Sequence, residues 1–168
     1  SIETSEKKKT LFNLWIELMS LKKDNYKSSD KKIMNFAINL AENNKYITGT
    51  NPSVGCVIVK NNKILSFATT NYGGRPHAES IALNKNRSNK GTSLYSTLEP
   101  CSHHGVTPPC TNAIIKNKVK RVYYSIEDKD LRTFNKTKKI LKSKKIVAIS
   151  GLQKQKVKSL YSEYNYIR

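Results

Sequence analysis

Residues 92–110 read TSLYSTLEPCSHHGVTPPC, a run that begins as a strand and ends where a helix starts. Thr92 to Leu98 reads as a strand, while Pro109 suits a first helical turn that Ala113, Ile114 and Ile115 continue. The same order recurs on either side. Upstream, Val54 to Val59 is a continuous apolar run with β-branched residues, the pattern of a strand covered on both faces. Lys60 to Asn62 turns the chain, Ile64 to Thr70 returns as its hairpin partner, and Gly73-Gly74 breaks the pattern before a helix opening at His77 to Leu83. Downstream, the spacing predicts a strand at Arg121 to Ile126, a helix at Phe134 to Ser143, a strand at Ile146 to Ile149 and a last helix from Gln153 to about Tyr164. Strands alternating with helices predict an α/β layered sheet.

Two more helices precede this unit. Leu11, Leu14, Trp15, Leu18 and Met19 recur at helical spacing between Thr10 and Leu21. A polar stretch, Lys22 to Ser28, separates them from a second helix, with Ser29 or Asp30 as N-cap and Ile33, Met34, Ala37, Ile38, Leu40 and Ala41 on its buried side. The expected organisation is an N-terminal helical extension over 1–28 and one domain over 29–168. The apolar stripe of the first helix makes homo-oligomerisation an expectation.

The 168 residues carry 31 Lys plus Arg against 12 Asp plus Glu, a formal net charge of +19. Such a balance invites a nucleic-acid reading. Only five of the cations are Arg and Asn is abundant, so a drift toward Lys and Asn accounts for much of the excess as solvated surface. Residues 131–162 hold ten Lys or Arg and no acid, yet aromatic residues do not interleave the basic run as single-strand stacking would favour. No apolar run approaches the roughly 18 residues of a membrane span, and Asn13 and Glu17 interrupt the stretch that faintly imitates a secretory signal. An odd count of three cysteines does not close a disulfide framework. A soluble, cytoplasmic chain with thiolate metal ligation is expected.

All three histidines and two of the three cysteines lie within the 34 residues from His77 to Cys110. Two thiolates and one imidazole suit a tetrahedral Zn²⁺ with one position open to water, and such an ion lowers the pKa of that water toward about 7. Cys101 and Cys110 supply the sulfurs; the nitrogen comes from His77 or His103. His77 is preferred because Glu79, two residues on, brings a proton-shuttling carboxylate into the same site. A closed structural knot would need His103 or His104 as a fourth ligand and would leave Glu79 without a use. Cys56, in the apolar strand, is expected to be a buried small side chain. Arg75, just before Pro76-His77, is either a surface cation or a counter-charge for an anionic substrate.

The pairing of His77-Ala78-Glu79 with Pro100-Cys101 and a second cysteine resembles the zinc-dependent nucleobase deaminase superfamily. Most of its members separate the cysteines by two residues. Eight intervene here, and Thr97 to Gly105 followed by Thr107-Pro108-Pro109-Cys110 is similar to the riboflavin-biosynthesis deaminases, as are Asn51-Pro52, Val54 to Val59, Lys120-Arg121-Val122 and Ile146 to Gly151. The resemblance spans about Lys32 to the C-terminus.

It implies a three-layer α/β/α cytidine deaminase-like fold with zinc on His77, Cys101 and Cys110, and Glu79 carrying the proton to the ring nitrogen and the departing amine. The implied substrate is 2,5-diamino-6-(5-phosphoribosylamino)pyrimidin-4(3H)-one, with Asn51, His103 and Thr107 contacting it. Asn51 also reads as an ordinary turn residue, and His103 or His104 as caps of loop carbonyls. The departures fall on the phosphoribosyl side: Thr70 replaces a His, Val106 a Lys or Arg, Asp128-Lys129-Asp130 an Asp-Pro-Asn turn, and Asn135 and Thr137 two glycines. Many relatives carry a reductase domain downstream, so the chain reads as a deaminase alone or as a piece of a longer protein. The competing readings are a deaminase of another base, including a base in RNA, and a non-catalytic zinc-stapled basic module.

Overall fold

The computed structural model describes residues 26–162. The expected helix at Thr10 to Leu21 lies outside them. Five helices and five strands follow: α1 (Ser28–Asn43), β1 (Gly55–Lys60), β2 (Lys63–Thr69), α2 (Ala78–Asn84), β3 (Ser93–Leu98), α3 (Cys110–Lys116), β4 (Arg121–Ile126), α4 (Thr137–Ser143), β5 (Val147–Ser150) and α5 (Lys154–Ser162), with a single 3₁₀ turn at Tyr72–Gly74. The sheet order is β2-β1-β3-β4-β5. β1 runs antiparallel to both β2 and β3, whereas β3, β4 and β5 are parallel. Helices α1 and α5 touch each other over one face; α2, α3 and α4 form a contiguous row on the other.

Among the described residues the predicted elements exist in the predicted order, most with shifted ends. Gly55 to Val59 is buried throughout, as a strand covered on both faces requires. Strand alternation then divides the work of β3 between the two layers. Tyr95 and Thr97 face α1 and α5, where the Tyr95 hydroxyl donates to Asp30 (2.7 Å) and the Thr97 and Tyr161 hydroxyls meet at 2.6 Å. Ser96 faces the opposite layer and reaches Glu79 in α2. Tyr95 also stacks on Tyr123, its partner across the β3–β4 ladder, with ring centroids 4.7 Å apart.

Two helix starts differ from expectation. The N-cap of α1 is Lys27, not Ser29 or Asp30. Asp30 lies one turn inside and its carboxylate reaches back to accept the Lys27 backbone N–H (2.8 Å), so it serves the helix end from the third position. Helix α4 begins at Thr137 rather than Phe134 because Asn135 sits in the left-handed region (φ 57°), which a continuing helix forbids.

The approach of α1 to β1 depends on Gly55, since a Cβ there would lie 1.9 Å from the Ala37 carbonyl oxygen. Backbone cannot yield as a flexible side chain can. Gly55→Ala should therefore destabilise the fold by about 3 kcal/mol, read as a lower urea midpoint with an unchanged slope; an unaltered midpoint would show that the helix can lift away without cost.

Candidate functional site

β3 ends at Leu98, and Cys101 stands three residues beyond it. Cys110 opens α3, and its backbone N–H points at the Cys101 sulfur (3.2 Å) while the Thr111 N–H donates to the Cys101 carbonyl (3.1 Å). The ten-residue loop thus returns to its own beginning. From the other side, His77 is the N-cap residue of α2, and its Nδ1 lies 3.5 Å from Cys101 Sγ and 3.4 Å from Cys110 Sγ. Ligand atoms of these three residues all lie within 4.8 Å of one another. Two thiols and an imidazole form a donor set suited to zinc, and three donors leave a tetrahedral ion one position short.

Glu79 stands beside this trio, 3% exposed, in the first turn of α2. Its Oε1 accepts from the Ser96 hydroxyl (3.2 Å), and its Oε2 lies 3.7 Å from Cys110 Sγ. Burial pushes its carboxyl above the usual range, against the pull of the neighbouring His77. The hydrogen bond from the Cys110 thiol, helped by His77, holds the Cys101 thiol well below its ordinary value, while Cys110 itself is raised. Cys56 is fully buried in β1, as expected of a core side chain.

A hollow opens over Glu79, walled by Asn51, Pro52, Val54, Thr70, Leu98 and Glu99, with Arg75, His103, Asp128, Asp130 and Arg132 toward its mouth. Asn51 is held by its neighbours: its backbone oxygen accepts from Thr48 Oγ1 (2.7 Å), and Gly74 (φ 93°) passes so close that a Cβ there would stand 2.2 Å from Asn51 Nδ2. Thr70 accepts the Val54 N–H (2.9 Å) and donates to the Pro52 carbonyl (3.2 Å), so its hydroxyl ties down the loop carrying Asn51.

His103 lines the hollow away from the cysteines. Its Nδ1 meets Thr133 Oγ1 at 2.8 Å and its Nε2 lies 4.0 Å from Asp130. His104 is exposed and takes no part in the wall. Thr107, expected against substrate, lines a different hollow on the outer side of the loop, and its hydroxyl accepts from Arg75 Nη1 (2.9 Å).

Sequence reasoning passed over two groups. Glu99 is 2% exposed and its carboxylate accepts backbone N–H groups of Asp128 (3.1 Å), Asn135 (3.3 Å) and Thr137 (3.2 Å), binding the cysteine loop to the segment before α4. Burial raises its carboxyl despite these three donors. An acid directly after an uncharged strand was the available signal. Arg132 grips Asp130 with Nε at 2.9 and 3.1 Å, which holds the Asp130 carboxyl far below its usual range; two residues apart in a lysine-rich stretch, the pair left no distinguishing mark.

Residues 27–126 match the family model for the cytidine and deoxycytidylate deaminase zinc-binding region. The chain is 47% identical over 100 residues to the riboflavin biosynthesis protein RibD of Aquifex aeolicus, covering 59% of this chain and 28% of that one. It is 41% identical over 124 residues to the diaminohydroxyphosphoribosylamino-pyrimidine deaminase of Buchnera aphidicola subsp. Schizaphis graminum, covering 73% and 84%. The solved structure of Acinetobacter baumannii RibD superposes with a TM-score of 0.77 at 36% identity, over 81% of this chain and 39% of that one. The chain spans about a third of the length of the RibD relatives it matches. A matching zinc-binding region over the elements that gather His77, Glu79, Cys101 and Cys110, and a relative of similar length aligned along most of itself, place the chain in the cytidine and deoxycytidylate deaminase family, among the deaminases of riboflavin biosynthesis.

Proposed function

We propose that this chain hydrolyses the amine from 2,5-diamino-6-(5-phosphoribosylamino)pyrimidin-4(3H)-one, giving the aminouracil ribotide and ammonia, with residues 29–168 as the deaminase unit and 1–28 as an extension. Relatives named for this pathway support the substrate. The observation that carries the chemistry is the buried Glu79 carboxylate directly beside the His77, Cys101 and Cys110 donors.

Those three residues would hold a zinc ion, whose contribution is to acidify a water toward about 7. The protein's own groups do the rest. Ser96 fixes Glu79 Oε1, which leaves Oε2, the oxygen facing Cys110, to take the proton of the attacking water. Glu79 delivers that proton to the ring nitrogen next to the amine-bearing carbon, and a second one to the departing amine, so that water is consumed and ammonia released. Asn51, fixed by Thr48 and Gly74, supplies an amide for the base edge, and the Pro52, Val54 and Leu98 side chains exclude water around the ring. His103, steadied by Thr133, faces the ribose side. Against the closed-knot reading, the His103 ring is engaged with Thr133 and Asp130 and His104 is exposed, so neither stands with the three donors. Zinc as resident ion, a cytoplasmic address and self-association belong to the same proposal; no helix among the described residues is long and apolar enough to cross a membrane.

Ammonia release from the ribotide, from cytidine and from a tRNA anticodon stem-loop separates the substrate classes. Release from the ribotide is expected, and release from cytidine or RNA instead would replace the substrate assignment. Elemental analysis should find about one zinc per chain, falling to a small fraction in Cys101→Ser and Cys110→Ser; full zinc in both variants would remove the thiolates from the site. Glu79→Gln should keep zinc and fold while lowering kcat by about 10²- to 10⁴-fold, whereas undiminished turnover would take Glu79 out of the mechanism.

A further inference from the structure

We propose that Arg75 is the residue that selects a phosphorylated substrate, its guanidinium receiving the phosphate at the mouth of the Glu79 hollow with Thr107 as its positioning residue. The inference rests on the ribotide reading above and assigns the charge that reading requires.

The hollow is lined by four carboxylates, Glu79, Glu99, Asp128 and Asp130. A phosphate dianion entering it meets repulsion unless a cation is free to answer. Only two lining residues carry a permanent positive charge, Arg75 and Arg132. Arg132 is committed to Asp130 through a two-toothed contact. Arg75 is not: its hydrogen-bond partner is the neutral Thr107 hydroxyl, and among the described residues no carboxylate lies within ion-pair distance of it. A half-buried guanidinium with no counter-anion among the described residues carries a desolvation cost that a bound anion would offset.

Its placement suits that task. Nη1 is turned to Thr107, and a Cβ on Gly105 would stand 3.4 Å from Nη2 and 3.9 Å from His103 Nε2, so the guanidinium, Gly105 and the imidazole share one wall. A side chain at position 105 would crowd Nη2, and glycine there avoids it. The cysteine loop has no cation of its own, since residues 101–110 contain neither Lys nor Arg and the tip is the exposed Val106. A planar guanidinium already steered by one hydrogen bond can offer its remaining N–H groups to two phosphate oxygens.

The test compares the ribotide with its dephosphorylated riboside in zinc-loaded wild type, Arg75→Gln and Arg75→Lys. Gln keeps a donor for Thr107 but removes the charge. It should raise KM for the ribotide about 10- to 100-fold with kcat little changed, and reduce the ribotide-over-riboside preference by the same factor; Lys should recover part of the loss. Thr107→Val should give a smaller rise in KM with the same signature, and Thr107→Ser should reverse it. A preference unaltered in Arg75→Gln would overturn the proposal. Calorimetric binding of ribose 5-phosphate gives a readout without turnover: weaker binding in Arg75→Gln than in wild type is expected, and equal binding overturns the site. Should wild type discriminate ribose 5-phosphate through Arg75 yet leave the ribotide untouched, the anion site stands and the ribotide reading falls.

Discussion

Two sulfurs, a ring nitrogen and a carboxylate crowd within contact distance in this protein, and that proximity constrains everything around it. Such groups do not gather without cause, because a buried acid beside thiols lacks the solvation it had in water. They are held together by three chain segments whose ends are fixed independently. β3 is set by ladders to β1 and β4, α2 is packed on β1 and β2, and α3 begins where its own first N–H groups turn back to Cys101. Shift any one of the three and the donors separate.

The mouth of the hollow depends on a second set of ties. Glu99 gathers three backbone N–H groups from residues 128–137, the Thr137 hydroxyl donates to the Pro100 carbonyl at 2.7 Å, and His103 meets Thr133. The cysteine loop and the segment before α4 are thereby one wall. Asn135 and Thr137 fit this arrangement directly: Asn135 adopts the left-handed backbone, and Thr137 uses its hydroxyl in the stitching. Thr70 likewise turns its hydroxyl to the backbone that carries Asn51. These three residues tie the wall without touching the metal-side donors.

Charge is distributed unevenly between site and surface. Of the acids in the described residues, Asp30 is buried against Tyr95 and six others include Glu79, Glu99, Asp128 and Asp130 lining the hollow. Lysines cover much of the remaining exterior. A negative hollow in a positive shell favours attraction of anions at a distance.

The strand and helix order was legible because period and β-branching report burial directly: β4 coincides with the predicted Arg121 to Ile126, and β1, β3 and α3 are displaced by about one residue. The cluster of His77, Glu79, Cys101 and Cys110 stood out because metal-binding residue types are rare enough for their spacing to carry information. Helix starts were less legible, since Asp30 and Asn135 act through backbone contacts that spacing does not encode. Sequence alone established the layered α/β class, the donor types and the acid placed next to them, all properties of local order and chemical identity. Tertiary structure decided that His77 rather than His103 stands with the cysteines, that Glu99 binds two distant segments, and that the Thr107 hydroxyl meets Arg75. Those outcomes depend on which side of a folded loop a side chain leaves from, a quantity set by contacts between residues far apart in the chain.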